Sequence, residues 1–162
     1  DKCCYPLYEL CLEYNVPVIF HSGPMIPPLK SRFSRPINMD DVATDFPDLK
    51  IILARIGSYF WEETLAIATV KPNIYVDFSV WQSKFLTKPK FFYQVLRDTI
   101  DTMGPDRVFW GSDGPFFEPI LSNDKWIDAV LNPDPEKSDG VTFSKEEKEI
   151  ILGKGFAKLL GI

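Results

Sequence analysis

His21 is the only histidine of the chain, and it stands directly after the apolar run Val16-Pro17-Val18-Ile19-Phe20. Asp113 has the same setting: Arg107-Val108-Phe109-Trp110 leads into Gly111-Ser112-Asp113-Gly114-Pro115. Imidazole and carboxylate are donors suited to zinc, and also to manganese or iron. A catalytic zinc takes three protein ligands and keeps one position open. The two residues therefore read as half of a metal site whose other ligands lie outside this chain. The plain alternative is a hydrogen-bonded core histidine and an aspartate that caps the next turn.

The elements that must position these residues are legible as alternating patterns. Leu7, Leu10, Cys11 and Tyr14 lie at helical spacing over residues 5–14. Strands are expected at 16–20, 50–54, 74–78 and 107–110, each a short apolar run bounded by turn residues. Between them, Asn38 is expected to cap a short helix with Asp40 and Asp41 in its first turn. Further helices are expected through Trp61, Leu65 and Ala68, over 89–103 and over 123–131. Residues 79–87 and the stretch after Asn132-Pro133-Asp134-Pro135 read as loops. Ser144 with Glu147 three residues on is a capping box, and Gly153 and Gly155 set off a last helix, Phe156–Leu160. Strands that alternate with helices imply a parallel sheet with helices outside it. Four such strands are half of an eight-stranded β/α barrel, in which chemistry sits at the C-terminal strand ends.

The 162 residues suffice for one domain with a real core. A net charge of −5 argues against a nucleic-acid partner, which calls for basic stripes. No apolar run is long enough to span a membrane, and no segment reads as a secretory leader. The chain opens on Asp1-Lys2-Cys3-Cys4-Tyr5 without an initiator methionine, which points to a processed product or a piece of something longer. Cys3, Cys4 and Cys11 make an odd, crowded set. Cys4 and Cys11 would sit roughly 10 Å apart along a helix, too far for an unstrained bridge. Reduced thiols and a cytoplasmic protein are expected.

Several stretches together resemble a known family. They are residues 16–23, Asp45-Phe46-Pro47-Asp48-Leu49-Lys50-Ile51-Ile52-Leu53-Ala54, Pro72-Asn73-Ile74-Tyr75-Val76-Asp77-Phe78-Ser79, residues 104–115 and the tail 150–161. In this order they resemble the C-terminal half of the amidohydrolase-2 branch of the metal-dependent amidohydrolases. These are TIM-barrel hydrolases, lactonases and non-oxidative decarboxylases. The resemblance implies barrel strands five to eight over residues 1–162, with the N-terminal half absent. It implies that His21 is a ligand of a divalent metal, with zinc the first candidate. Asp113 would hold the metal or its water and take part in proton transfer. Two further ligands, a His-x-His pair on the first strand, have no counterpart here.

A second departure concerns Arg55-Ile56-Gly57, where the family usually carries a histidine. Guanidinium stays protonated and cannot act as a base, but it grips carboxylates in bidentate fashion. Arg55 thus points to a carboxylate-bearing small-molecule substrate, with a surface or salt-bridge arginine as the plain alternative. Asp77 could support ligands or serve a structural hydrogen bond. Trp81 and the Phe116-Phe117 pair, in loops leaving strand ends, could wall an aromatic pocket or pack against a subunit. The expected function is metal-dependent hydrolysis of a carbonyl or lactone. The alternatives are non-oxidative decarboxylation and a non-catalytic binding protein that keeps the barrel. A half-barrel exposes two sheet edges, so a missing N-terminal half or a second copy is the expected partner.

Overall fold

The computed structural model describes residues 2–162, and four short strands order everything else in it. They are β1 (Val18–Phe20), β2 (Ile51–Leu53), β3 (Ile74–Asp77) and β4 (Val108–Phe109). They form one sheet in the order β1-β2-β3-β4. The first two pairings are parallel, with Val18 opposite Ile51 and Ile51 opposite Ile74. Each strand is shorter than its apolar run because the flanking residues turn into loops as soon as the ladder ends.

Nine α-helices accompany the strands in the described residues: α1 (Tyr5–Glu13), α2 (Asp40–Asp45), α3 (Trp61–Val70), α4 (Gln82–Thr87), α5 (Pro89–Met103), α6 (Asn123–Leu131), α7 (Pro135–Ser138), α8 (Lys145–Glu149) and α9 (Gly155–Leu160). The chain divides into two compact units, one up to Val76 plus Ala157–Ile162, the other Asp77–Phe156.

In the first unit β2 is buried on both faces, as its unbroken Ile51-Ile52-Leu53 run requires. Tyr8 of α1 packs edge-on against Phe20 and Phe46. The helical stripe Leu7, Leu10 and Tyr14 is exposed instead of buried, and so is Ile19 of β1, at 59%. The register places Ile19, Ile52 and Tyr75 in one row across the sheet. Strand alternation keeps such a row on one face. The expected cap at Asn38 is not formed. Residues Pro36–Met39 make a 3₁₀ turn ahead of α2, and the Asn38 amide donates to the Arg32 carbonyl at 2.8 Å.

The second unit is built on aromatic rings. Trp126 of α6 meets Phe78, Phe85 and Phe92, with centroids 5.1–5.7 Å apart. Phe92, Leu96, Thr99, Ile100 and Met103 line the buried face of α5 at the expected spacing. Tyr93 donates to the Ala129 carbonyl at 2.8 Å, and burial pushes its phenol up to about 12.

Two expected loops contain helices. The first is α4, where Trp81 and Phe85, one turn apart, reach the same aromatic core. The second is α7, whose N-terminus is capped by Asp134, a carboxylate that accepts from the Glu136 and Lys137 amides.

The capping box at α8 is present: Glu147 N donates to Ser144 Oγ at 3.1 Å and Ser144 N to Glu147 Oε2 at 2.7 Å. Loss of the Ser144 cap by Ser144→Ala is expected to cost about 1 kcal/mol, read by urea unfolding. A hydrogen bond from Arg97 at 2.7 Å holds the Glu147 carboxyl below its ordinary value of 4.5. A folded-state pKa below the unfolded one stabilises fully above the unfolded value and is lost as pH falls through the folded one. The stability difference between wild type and Glu147→Gln is therefore expected to shrink below pH 4.5. A pH-independent difference would contradict this.

Cys3, Cys4 and Cys11 are not bridged in the structure. No helix among the described residues is long and apolar enough to cross a membrane.

Candidate active site

His21 leaves β1 two residues beyond Ile19, so alternation carries it off the strand on the Ile19 side. Its imidazole is exposed. The residues after it are pinned. Ser22 is buried and donates through Oγ to the Ala54 carbonyl at 2.5 Å, which ties the turn after β1 to the end of β2. Gly23 donates to the Ser34 carbonyl at 3.0 Å and accepts from Ser34 Oγ at 2.5 Å. A Cβ on Gly23 would lie 3.1 Å from Ser58 Cβ, so the two strand-end loops touch there.

The turn after β2 holds a run of four left-handed residues: Arg55 (φ 70°), Ile56 (φ 47°), Gly57 (φ 71°) and Ser58 (φ 52°). Only Gly57 is suited to this by type. A side chain there would collide with Thr64 Oγ1 and press on Pro36 Cγ at 3.0 Å. Sparsely populated backbone of this kind costs about 1–3 kcal/mol per residue and clusters at functional sites. Arg55, half-buried, is carried by this turn.

The second unit repeats the plan. Asp77 ends β3, and its Oδ1 accepts from Ser79 N at 2.9 Å and Ser79 Oγ at 2.5 Å. Asp77 thus takes up the structural hydrogen-bond role. Val80 follows with φ 68°. After β4, a Cβ on Gly111 would fall 2.9 Å from Ser79 Cβ and 3.4 Å from Asp77 Oδ1, so Gly111 lets the loops after β3 and β4 close together. Two buried side chains then hold consecutive carbonyls. Trp126 Nε1 donates to Gly111 O at 3.0 Å, and Gln82 Nε2 donates to Ser112 O at 2.6 Å. Asp113 comes next, half-buried, with φ 51°.

Trp81 is 3% exposed and lies against Phe91 and Phe92, with centroids 6.1 and 6.5 Å away. Its ring serves the core of the second unit. Phe116 is exposed, while its neighbour Phe117 is buried. Between β1 and α2, Arg35 pairs with Glu63, and Arg32 lies over the Phe33 ring at 4.6 Å.

Among the described residues no group of three or more His, Cys, Asp and Glu could hold a metal. Imidazole and carboxylate are donor types that suit a divalent metal, but two such residues are fewer than the three protein ligands a catalytic zinc takes.

The amidohydrolase family model, Amidohydro_2, matches residues 1–162. The chain belongs to the amidohydrolase family.

Protein fluG of Emericella nidulans is 23% identical over 118 residues, which are 72% of this chain and 13% of that protein. A TIM-barrel protein from Bordetella bronchiseptica superposes on 99% of this amidohydrolase chain and 51% of its own, with 21% identity and a TM-score of 0.65. An amidohydrolase from Burkholderia multivorans with bound zinc covers 100% of this chain and 58% of its own, at 14% identity and a TM-score of 0.72. The 5-carboxyvanillate decarboxylase of Sphingomonas paucimobilis gives 100%, 54%, 18% and 0.67. The chain therefore spans about half the length of these solved structures, an extent consistent with a partial barrel.

Sequence reasoning proposed His21, Asp113 and Arg55 and did not anticipate the buried Gln82 and Ser22 or the left-handed run. Gln82 sits beside Trp81 in what reads as a loop, and nothing in its type announces a donor to a distant carbonyl. The Gly57 and Gly111 positions were the available signals.

Proposed function

We propose that the chain is the strand-five-to-eight half of a metal-dependent (β/α)₈ amidohydrolase that hydrolyses a carbonyl or lactone on a carboxylate-bearing small molecule. One observation carries the reading. His21 and Asp113, the residues of metal-ligand type, each leave a strand end, and the loop around each is tied by buried polar side chains. The bound zinc of the Burkholderia relative supports a divalent metal, with manganese or iron as the other candidates.

A divalent metal held partly by His21 and Asp113 would polarise the substrate carbonyl and lower the pKa of a water. Asp113 accepts the proton of the attacking water at a carboxylate oxygen and returns it to the leaving group. Arg55, permanently charged, binds the substrate carboxylate through its guanidinium and fixes the orientation of the reacting bond. The exposed α1 stripe and the exposed Ile19 edge of β1 support a further barrel half, or a second copy, as the partner of this chain.

Decarboxylation is the second reading, favoured by the likeness to the Sphingomonas decarboxylase and by a guanidinium placed where the family usually has imidazole. The test is to load the complete barrel with zinc and offer it a carboxylated lactone and an aromatic carboxylic acid. Ring opening supports hydrolysis, and CO₂ release supports decarboxylation. Neither product, with metal bound, would leave a non-catalytic binding protein as the better account.

A further inference from the structure

We infer that Gln82 is a positioning residue for the Asp113 carboxylate, acting through the backbone just before it. The inference rests on Asp113 belonging to the metal site. Gln82 is 1% exposed, yet it is a polar side chain in an aromatic core. Its Nε2 donates to Ser112 O at 2.6 Å, which fixes the amide's orientation, because a carbonyl can only accept. Its Oε1 is buried and meets no donor in the structure. A buried acceptor without a partner is a net cost that an apolar side chain of the same size would avoid. The residue is thus poorly explained by stability alone.

What the bond does is local. Asp113 is a non-glycine residue in the left-handed region, a sparsely populated conformation that surrounding contacts help to hold. Gln82 secures the Ser112 carbonyl, and Trp126, 0% exposed, secures the Gly111 carbonyl from another helix. Ser112 Oγ accepts from Gly114 N at 3.1 Å, and Phe116 N donates to Asp113 O at 3.0 Å, so the peptide is held on both sides of Asp113. Release of the Ser112 carbonyl would let the Asp113 peptide relax and swing its carboxylate.

Zinc titration by calorimetry and thermal melting of the complete barrel test this, with Asp113→Asn and Gln82→Met compared to wild type. Outer partners of a ligand are typically worth about 10- to 100-fold in metal affinity. The expected result is a loss of that size in Gln82→Met with the melting temperature nearly unchanged. Normal zinc affinity in Gln82→Met, beside a weakened Asp113→Asn, would overturn the inference and spare the metal reading. Normal affinity in Asp113→Asn would overturn both. If Gln82→Met does not fold, Trp126→Phe removes the neighbouring donor and keeps an aromatic ring in place. It is expected to weaken zinc in the same way, and unchanged affinity there would overturn the inference.

Discussion

Asp113→Asn in the complete barrel is expected to lower kcat by about 10²- to 10⁴-fold, the usual worth of a positioned acid–base group. The carboxamide keeps the size of the side chain and the left-handed backbone, to which asparagine is well suited. It cannot take up a proton from water. The fold is expected to survive, since hydrogen bonds from Gln82, Trp126 and Phe116 to backbone carbonyls of this turn remain in the variant. Steady-state kinetics with a parallel melting curve measure both. An unchanged kcat would remove Asp113 from the chemistry.

Arg55→Ala is expected to raise KM for a carboxylate substrate far more than it lowers kcat. Loss of one partner of a hydrogen-bonded charge pair costs about 2–5 kcal/mol, roughly 30- to several-thousand-fold in kcat/KM. The effect should vanish for an analogue in which an ester replaces the carboxylate. Equal losses on acid and ester would mean that Arg55 only supports its turn, a role the four left-handed residues make physically reasonable. Arg55→His separates the two readings further. A gain of hydrolysis would identify the arginine as the lesion of a degenerate site, and a loss would confirm the clamp.

The strand ends were legible because a buried parallel strand is an apolar run that stops at polar or turn residues; His21 follows β1 directly, and Asp113 follows β4 after Trp110-Gly111-Ser112. The approximate extents of helices α5 and α6 were legible, the first from the Gly104-Pro105-Asp106 break and the second from the Asn132-Pro133 turn that follows it. α4 was not, because six residues between Trp81 and Lys88 give too few turns for a periodic signal, and its stability comes from ring packing. The strain at Arg55, Ile56 and Ser58 has no sequence signature either, because none of these residues prefers left-handed backbone. Within that run, Thr64 and Pro36 lie so close to Gly57 that a side chain there would collide. Trp81 shows what a sequence leaves open: an aromatic residue after a strand can serve core or pocket equally well, and here it is 3% exposed among core rings.

The most direct measurement is anomalous diffraction at the zinc edge from crystals of the complete barrel grown with zinc. The account predicts one strong peak within coordination distance of both a His21 ring nitrogen and an Asp113 carboxylate oxygen, with the remaining ligands contributed by the other barrel half. A peak bound elsewhere, with His21 and Asp113 outside its coordination shell, would contradict it.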